Sequence, residues 1–330
     1  MKSEGLQYTT MLRDELSDVH TTMLEVQRHL PNPVASALAA IINGRGKRLR
    51  PALVLLSAHM FNVDTKNAIA VAAAVEMLHT ATLIHDDLID NALVRRGKQT
   101  LNANWSAAAT VLTGDVAFAW AAELATRSQT LKLVERFSKT LAIICKGELN
   151  QMFDNRAQLP TEADYYDRIF AKTASLFALA AECGPLLAHR AETDVLNLAT
   201  FGKLLGEAFQ IVDDVLDFVG DEATLGKPVG GDLRQGIITL PVLHYFRRHP
   251  DDVRIDAILT NRYAHNERMG SESAFQSLLA DLRRSDAAEW AMQQAETRSA
   301  AAQALLDVYP DTPYRRAMQE IAAFAVQRQY

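Results

Sequence analysis

The sequence predicts an all-α protein that forms a single large helical bundle over residues 1–330. Apolar residues recur at spacings of three and four with little two-residue alternation, which is the period of amphipathic helices. Good helix formers such as alanine, leucine and glutamate occur in long runs, and aromatic residues make up 7% of the chain. The length would also allow two domains. We expect one bundle because it can bring two distant motifs to one central cavity.

Helix ends are predicted at prolines and at polar segments. The candidate breaks are Pro31, Pro51, Pro160, Pro241, Pro250 and Pro310. One long helix is predicted from about Asn67 to Ala92, and Thr161 is the predicted N-cap of the helix after Pro160. A polar loop at residues 263–273 is the predicted weak point of the bundle.

Two aspartate clusters with the same spacing, DDxxD at residues 86–90 and 213–217, lie in apolar, helix-like segments. On a helix, the first and fifth residues of this motif share a face. Burying carboxylates without partners is costly, whereas Mg²⁺ binds through a few carboxylates together with substrate phosphates. The pair therefore predicts a metal and diphosphate site. The alternative for each cluster is a solvated acidic patch; a calcium loop is disfavoured because its alternating ligand pattern is missing.

The helix of the first cluster carries a polar stripe. His79 lies seven residues before Asp86 and eleven before Asp90, so at about 100° per residue these side chains point to one side of the helix, together with Thr82. A lone histidine in such a helix is usually a core residue with satisfied hydrogen bonds. Its alignment with the carboxylates favours a role in the site.

Cationic residues occur near both motifs. The segment GRGKRLRP at residues 44–51 contains Lys47 and Arg50, and Arg95 and Arg96 follow the first motif. Arginine offers fixed, bidentate donors to a phosphate, although basic residues at a helix end can also simply complement its dipole. The net charge of −6 and the absence of a wider basic stripe argue against nucleic acid as a partner. A small polyanion fits better.

Three further residues complete the candidate set. Lys172 begins the segment KTAS, which interrupts a helical stretch, and Lys227 lies in a glycine-rich segment after the second motif; either can also be an ordinary surface lysine. Gln210 lies three residues before Asp213 and seven before Asp217, so it shares their helix face.

Five segments, taken in order, resemble the trans-isoprenyl diphosphate synthases, also called the polyprenyl synthetase family: GKRLRP, HDDLIDNALVRRGKQT, KTASLF, FQIVDDVLDF and GKPVGGDLRQGIITLP. The resemblance implies the isoprenoid synthase fold. It also implies a chain-elongating prenyltransferase that condenses isopentenyl diphosphate with an allylic diphosphate to an all-trans polyprenyl diphosphate. Ile237 follows Gly236 where short-chain members commonly have lysine, so this segment resembles longer-chain synthases and Lys227 must carry more of the charge.

The resemblance also implies residue roles. Isopentenyl diphosphate would be held by Lys47, Arg50, His79 and Arg96. The allylic diphosphate would be held by Arg95, Lys172, Thr173, Gln210 and Lys227. Three Mg²⁺ ions would be bound chiefly by Asp86, Asp90 and Asp213, with Asp87 and Asp217 as second candidates. Lys172, Thr173, Gln210 and the three principal carboxylates would be catalytic, with Thr173 and Gln210 offering oxygen dipoles to an allylic cation.

In this family, bulky residues four or five positions before the first aspartate stop chain growth. Here those positions are Ala81 and Thr82, both small, and one turn deeper Met77 is large but flexible. We therefore expect products of twenty carbons or more. Phe118 or Trp120 on another helix can supply a floor to the product tunnel that the sequence does not locate.

Two other functions share this pattern. A class I terpene cyclase uses the same metal-triggered ionisation but does not need a second diphosphate site. A non-catalytic regulatory subunit on the same scaffold would not need both aspartate sets intact. The family is typically homodimeric, and alanine-rich helical faces between Trp105 and Thr126 are compatible with a close helix partner.

The environment is predicted from composition. Cys145 and Cys183 lie in apolar helical contexts, so we expect two buried thiols in a reducing compartment rather than a disulfide framework. The first 18 residues lack the apolar core of a signal peptide, and the longest apolar run, Ala68–Val75, is too short to span a bilayer. We expect a cytoplasmic protein without stable membrane insertion.

Overall fold

A computed structural model describes residues 6–44, 46–95, 97–153, 158–220, 229–261 and 272–327. Within these ranges the regular elements are helices apart from two strands of two residues each, so the predicted all-α class is confirmed. Arg45, Arg96 and Lys227 lie outside the described residues, as does most of the polar loop predicted at 263–273.

The helices of the first half of the chain are α1 (Gln7–Met11), α2 (Arg13–Leu24), α3 (Asn32–Ile42), α4 (Leu49–Met60), α5 (Thr65–Ile89), α6 (Ala107–Thr126) and α7 (Leu131–Phe153). Those of the second half are α8 (Glu162–Ile169), α9 (Ser175–Leu187), α10 (Glu192–Val219), α11 (Gly231–Arg234), α12 (Leu240–Arg248), α13 (Arg254–Asn261), α14 (Glu272–Arg284), α15 (Ala287–Leu305) and α16 (Pro313–Val326). A hairpin of β1 (Val94–Arg95) and β2 (Lys98–Gln99) follows α5, and a π-helical turn at Phe170–Ala174 joins α8 to α9.

The chain divides into two compact units. The first contains Met1–Ile143, Ser175–Lys203 and Ala302–Ile321. The second contains Ile144–Ala174, Leu204–Ala301 and Ala322–Tyr330. The single domain over residues 1–330 stays a prediction.

The first unit is built around α5, which packs against α2, α4, α6 and α9. The middle of α5 is apolar on all sides, as expected for a helix surrounded by others, and Val71–Val75 is fully buried. The Asp64 side chain accepts hydrogen bonds from the backbone N–H groups of Lys66 and Asn67. This cap starts the helix at Thr65, two residues before the predicted start, and the helix ends at Ile89 rather than Ala92.

The second unit has its own hydrophobic core, formed by α8, α10, α12, α14 and α15. Its buried side chains include Tyr165, Ile211, Val215, Phe246, Phe275 and Leu282. The predicted N-cap at Thr161 is confirmed, because Thr161 and Asp164 form a reciprocal capping box at the start of α8. This cap fixes the start of the segment that leads into the π-helical turn.

Two details differ from the sequence-based expectations. Pro51 and Pro241 lie inside the first turns of α4 and α12, where a missing backbone N–H costs nothing, so they start helices rather than break them.

Cys183 is buried as predicted, but the prediction for Cys145 is wrong, since its side chain is exposed. Its neighbour Ile144 faces the core, and the next residue on a helix is rotated by about 100° toward solvent.

Within the described part of the chain, three helical stretches are long and apolar enough, by length and composition, to cross a membrane: Thr65–Ile89, Ala107–Thr126 and Glu162–Leu187. Most of the apolar window is buried within the protein in the first and third, but less than half of it in the second, which is α6. Of these three stretches, α6 therefore has the most exposed apolar surface.

Candidate active site

The polar stripe on α5 lies on the less buried face of the helix, as its spacing predicts. His79, Thr82 and Asp86 are half-buried and Asp90 is exposed, whereas the intervening residue Ala81 is fully buried. The Thr82 hydroxyl donates to the backbone carbonyl of His79 at 2.8 Å. The two carboxylates therefore stand one helical turn apart at the C-terminal end of α5.

Asp87 points into the protein and pairs with Arg95. The Nε of Arg95 donates to Oδ1 of Asp87 at 2.6 Å across the start of the hairpin. Burial raises the pKa of Asp87, and the hydrogen bond and charge of Arg95 oppose that rise. The hairpin turn needs Gly97, whose φ of +75° is disfavoured for other residues. In this structure Arg95 thus holds a carboxylate of the motif, and its role toward a diphosphate stays a prediction.

The cationic segment before α4 is anchored by Arg48, a residue that the sequence analysis did not single out. Arg48 adopts a left-handed conformation with φ of 49°. Its guanidinium donates to the carbonyl of Ile42 and, at 2.7 Å, to Oε1 of Glu76, which lies one turn before His79 on α5. The backbone carbonyl of Lys47 accepts a hydrogen bond from the Tyr8 hydroxyl at 2.6 Å. Arg48 and Tyr8 therefore fix the segment that carries Lys47.

Arg50, the second predicted cation of this segment, stacks on an aromatic ring. Its guanidinium carbon lies 4.5 Å from the centre of the Phe177 ring on α9. Such stacking orients the planar guanidinium without removing its charge.

His85, just before the first motif, contacts α6. Its Nε2 lies 3.1 Å from the backbone carbonyl of Val111 and 3.5 Å from Oδ1 of Asp115. A Cβ on Gly114 would lie 2.3 Å from the same ring nitrogen, so the close approach of the ring requires glycine there. The C-terminal end of α5 is thus held against α6.

The three aspartates of the second motif, on α10, also differ in burial, as those of the first motif do. Asp213 is half-buried, whereas Asp214 and Asp217 are buried. Oδ2 of Asp217 accepts the backbone N–H of Asp232 at 3.0 Å, and its carbonyl accepts the N–H of Gly230 at 2.7 Å. Asp217 therefore helps to hold the start of α11.

A chain of hydrogen bonds joins the second motif to the π-helical turn. The Thr173 hydroxyl donates to Oε1 of Gln210 at 2.7 Å, and Nε2 of Gln210 donates to Oδ1 of Asp214 at 2.8 Å. The Tyr165 hydroxyl donates to the other Asp214 oxygen at 2.7 Å. Burial and the nearby charge of Asp232 raise the pKa of Asp214 to about 7, although both hydrogen bonds lower it.

The π-helical turn is the predicted interruption at KTAS, and π-bulges are frequent at functional sites. It lies close to α7, because a Cβ on Gly147 would be 2.4 Å from that of Ala171. Nζ of Lys172 is 3.7 Å from Oε1 of Glu148, the residue after this glycine. Glu148 is not predictable from the sequence as part of the site, since nothing in its local pattern marks it as a neighbour of Lys172.

The donor sets fit a hard divalent cation. Asp86 and Asp213 are half-buried and Asp90 is exposed, while Asp87 and Asp217 are buried and accept hydrogen bonds from Arg95 and from a backbone N–H. Oxygen donors of this kind suit Mg²⁺ that also takes ligands from substrate phosphates and water. Among the residues that the structure describes, no group of three His, Cys, Asp or Glu side chains forms a metal cage by itself.

The predicted chain-length residues differ in burial. Met77 and Ala81 are fully buried in the first unit, whereas Thr82 is half-buried on the same face as Asp86. The Phe118 ring lies 5.1 Å from the ring of His85, and the buried Trp120 ring lies 5.8 Å from that of His29. The position of a tunnel floor stays a prediction.

Comparison with known proteins decides the family. The family model described as polyprenyl synthetase matches residues 31–278, which is most of the chain. The chain belongs to the polyprenyl synthetase family. The resemblance stated from the motifs is thus confirmed, and with it the general activity of a chain-elongating prenyltransferase.

Long-chain synthases are among the relatives. The chain is 38% identical to the octaprenyl diphosphate synthase of Escherichia coli (strain K12) over 288 residues, covering 87% of this chain and 88% of the relative. It is 34% identical to the heptaprenyl diphosphate synthase component 2 of Geobacillus stearothermophilus, covering 97% and 98%.

A solved structure supports the fold. The polyprenyl synthase from Caulobacter crescentus CB15, complexed with calcium and isoprenyl diphosphate, matches with a TM-score of 0.88 and 33% identity, covering 98% of this chain and 97% of that one. The predicted isoprenoid synthase fold is therefore confirmed.

Proposed function

We propose that this protein is a Mg²⁺-dependent polyprenyl diphosphate synthase, which condenses isopentenyl diphosphate with an allylic diphosphate into all-trans products of twenty carbons or more. The observation that carries the proposal is the split within each DDxxD motif. In both motifs the first aspartate is half-buried, while the next aspartate is buried and its carboxylate accepts a hydrogen bond from Arg95 or from Tyr165. This is the arrangement expected where some aspartates bind a cation and others hold the helix in place.

The chain's own residues would do the following. Lys47, Arg50 and His79 hold isopentenyl diphosphate, and Lys172 binds the allylic diphosphate. Asp86, Asp90 and Asp213 would hold Mg²⁺, three ions by family resemblance, whose charge would draw the diphosphate away from the allylic carbon. The double bond of isopentenyl diphosphate then attacks this carbon, and the released diphosphate takes up the proton that is lost.

A single assay tests this function. The purified chain is incubated with labelled isopentenyl diphosphate, an allylic primer and Mg²⁺, and the extracted products are dephosphorylated and chromatographed. We expect elongated alcohols that disappear when the metal is chelated. A cyclic hydrocarbon made from the primer alone would indicate a terpene cyclase. Product that forms only after a second protein is added would indicate a subunit of a two-component enzyme, as the name of one relative suggests.

We expect the purified protein to be a homodimer that associates through α6. Val111 and Leu112 on this helix are exposed by 39% and 64%, and a contiguous apolar face often marks an interface. Light scattering should give twice the 36.4 kDa of one chain. Leu112→Glu should shift this mass toward the monomer, whereas Leu196→Glu, which alters an exposed leucine on α10, should not. A monomeric wild type at micromolar concentration would contradict this expectation.

Arg48→Met is expected to weaken isopentenyl diphosphate binding without removing a predicted ligand. The change leaves the Glu76 carboxylate without its 2.7 Å partner and releases the segment that carries Lys47 and Arg50. Loss of a partner to a buried polar group costs about 1–3 kcal/mol, so we expect lower thermal stability and a several-fold higher KM for isopentenyl diphosphate. The KM for the allylic primer should change little. Arg28→Met, at an exposed arginine, is the matched control.

We also propose a cytoplasmic location without stable membrane insertion. Two observations support this location: Cys145 and Cys183 are both free thiols, and most of the apolar window of α5 is buried inside the protein. Fractionation of cells that express the chain would test it, because an integral protein stays with the membranes after a carbonate wash.

A further inference from the structure

We propose that Asp214 is a positioning residue rather than a metal ligand, and that it sets the direction of a hydrogen-bond chain that ends at the Thr173 hydroxyl. The chain runs from Thr173 to Gln210 to Asp214, with Tyr165 bonded to the far side of Asp214. This inference rests on the proposed function, because it assigns the Thr173 oxygen a task in the ionisation of the allylic diphosphate.

The Asp214 carboxylate is unavailable to an outside cation. Only 4% of the residue is exposed, and each of its oxygens accepts a hydrogen bond, one from Gln210 at 2.8 Å and one from Tyr165 at 2.7 Å. Asp213, the preceding residue, is half-buried on the same helix. The two adjacent aspartates therefore have different roles in this proposal: Asp213 is a metal ligand, and Asp214 is a hydrogen-bond acceptor for Gln210 and Tyr165.

Acceptance at Asp214 fixes the orientation of the Gln210 amide. In its ionised form Asp214 can only accept hydrogen bonds, so the Gln210 NH₂ faces Asp214 and the amide oxygen faces Thr173. A hydroxyl has one proton to donate, and Thr173 gives it to this amide oxygen. What remains on the Thr173 oxygen is lone pairs only.

The hydrogen-bond acceptor of the Thr173 hydroxyl differs from that of other helical threonines. On regular helices, a threonine hydroxyl commonly donates to the carbonyl four residues earlier. Among the residues that the structure describes, six threonines do so: Thr21, Thr80, Thr110, Thr113, Thr200 and Thr297. Thr173 lies in the π-helical turn and bonds instead to a side chain 37 residues away. In this turn the Thr173 hydroxyl therefore donates to Gln210 on α10 instead of to a backbone carbonyl of its own helix.

The Thr173 oxygen, with only lone pairs available, can interact favourably with a positive charge but not with a phosphate. An oxygen that offers only lone pairs is repelled by phosphate oxygens but stabilises developing positive charge on a nearby carbon. Thr173 should therefore contribute to the rate of ionisation rather than to the affinity for the allylic diphosphate. Affinity would come from cations such as Lys172, which is partly exposed beside it.

The test compares two substitutions of Asp214. Asp214→Leu has a similar branched shape but cannot accept a hydrogen bond, so the orientation of Gln210 is lost. Asp214→Asn can still accept from Gln210, while the Tyr165 hydroxyl turns to accept from its NH₂. We expect kcat to fall about tenfold in Asp214→Leu and to stay within about threefold of wild type in Asp214→Asn, with little change in either KM or in the Mg²⁺ requirement. Equal, large losses in both variants, or a raised Mg²⁺ requirement, would show a metal ligand and overturn the inference.

A double-mutant cycle separates positioning from general destabilisation. In a Thr173→Val background the hydroxyl is already gone, so Asp214→Leu should reduce kcat by less than about twofold. Additive losses would mean that Asp214 acts through overall structure, which overturns the inference. If Asp214→Leu does not fold, Gln210→Met interrupts the same chain at similar volume and enters the same cycle with the same expected outcomes. A wild type that does not elongate a primer overturns the proposed function as well, whereas an active wild type with additive losses overturns this inference alone.

Discussion

Replacing Asp86 by alanine is expected to reduce turnover by a factor of about 10²–10³ or more while the helical fold persists, because several charged ligands act as a unit in stabilising the leaving diphosphate. Asp86 is half-buried at the accessible face of α5, and its removal leaves the Asp87–Arg95 pair in place. The measurement is kcat with a short allylic primer at saturating Mg²⁺, together with far-ultraviolet circular dichroism. Near-normal turnover in a folded Asp86→Ala protein would contradict the site assignment.

The same change at Asp213 should have a similar effect, since it is the half-buried first aspartate of the second motif. Matched controls remove an exposed aspartate from each unit: Asp18→Ala on α2 and Asp251→Ala after α12. Both controls should keep wild-type turnover, which would exclude a general effect of charge. Asp87→Ala is less informative because it also leaves Arg95 without its 2.6 Å partner.

The sequence was sufficient for features that depend on local periodicity. The 3.6-residue pattern predicted α5 to within three residues at each end, and the capping signal at Thr161 predicted the start of α8. The KTAS segment was recognised as an interruption, although its π-helical form was not. The polar stripe from His79 to Asp90 likewise followed from spacing on one helix.

Contacts between residues distant in the chain were not predictable from the same signals. Arg48 and Glu76 are 28 residues apart, and Tyr165 and Asp214 are 49 apart. Nothing in the local composition distinguishes Arg48 from Lys47 or Arg50, yet its left-handed backbone turns it inward. Helical position also failed to separate the roles of adjacent aspartates, because burial of a carboxylate depends on which helices pack around it. The exposure of Cys145 was missed for the same reason.

Thr82→Phe is expected to shorten the product. At about 100° per residue, Thr82 lies about 40° from Asp86 around the helix axis, and its side chain is half-buried on that face. A benzyl group there would obstruct a chain that grows away from the diphosphate. Each isoprene unit adds five carbons, and burial stabilises by about 0.8 kcal/mol per CH₂, so an open path strongly favours retention of the growing chain and a blocked path favours its release.

Reverse-phase chromatography of the dephosphorylated products measures the effect. Under excess isopentenyl diphosphate, the wild type should give alcohols of twenty carbons or more, and Thr82→Phe should give a shorter dominant product. Thr200→Phe, the same substitution at an exposed helical position, should leave the distribution unchanged. A dominant wild-type product of fifteen carbons or fewer would show that the expected length is wrong.

Ala81→Phe tests the neighbouring position under a different physical constraint. Ala81 is fully buried in the core of the first unit, so adding a ring there should cost about 1–3 kcal/mol of stability through overpacking. Family resemblance predicts a shorter product here as well, but the burial of Ala81 predicts a lower melting temperature too. If both variants fold and neither shortens the product, the floor of the tunnel lies elsewhere. Phe118 would then be the next candidate, because its ring already lies against that of His85 at the end of α5.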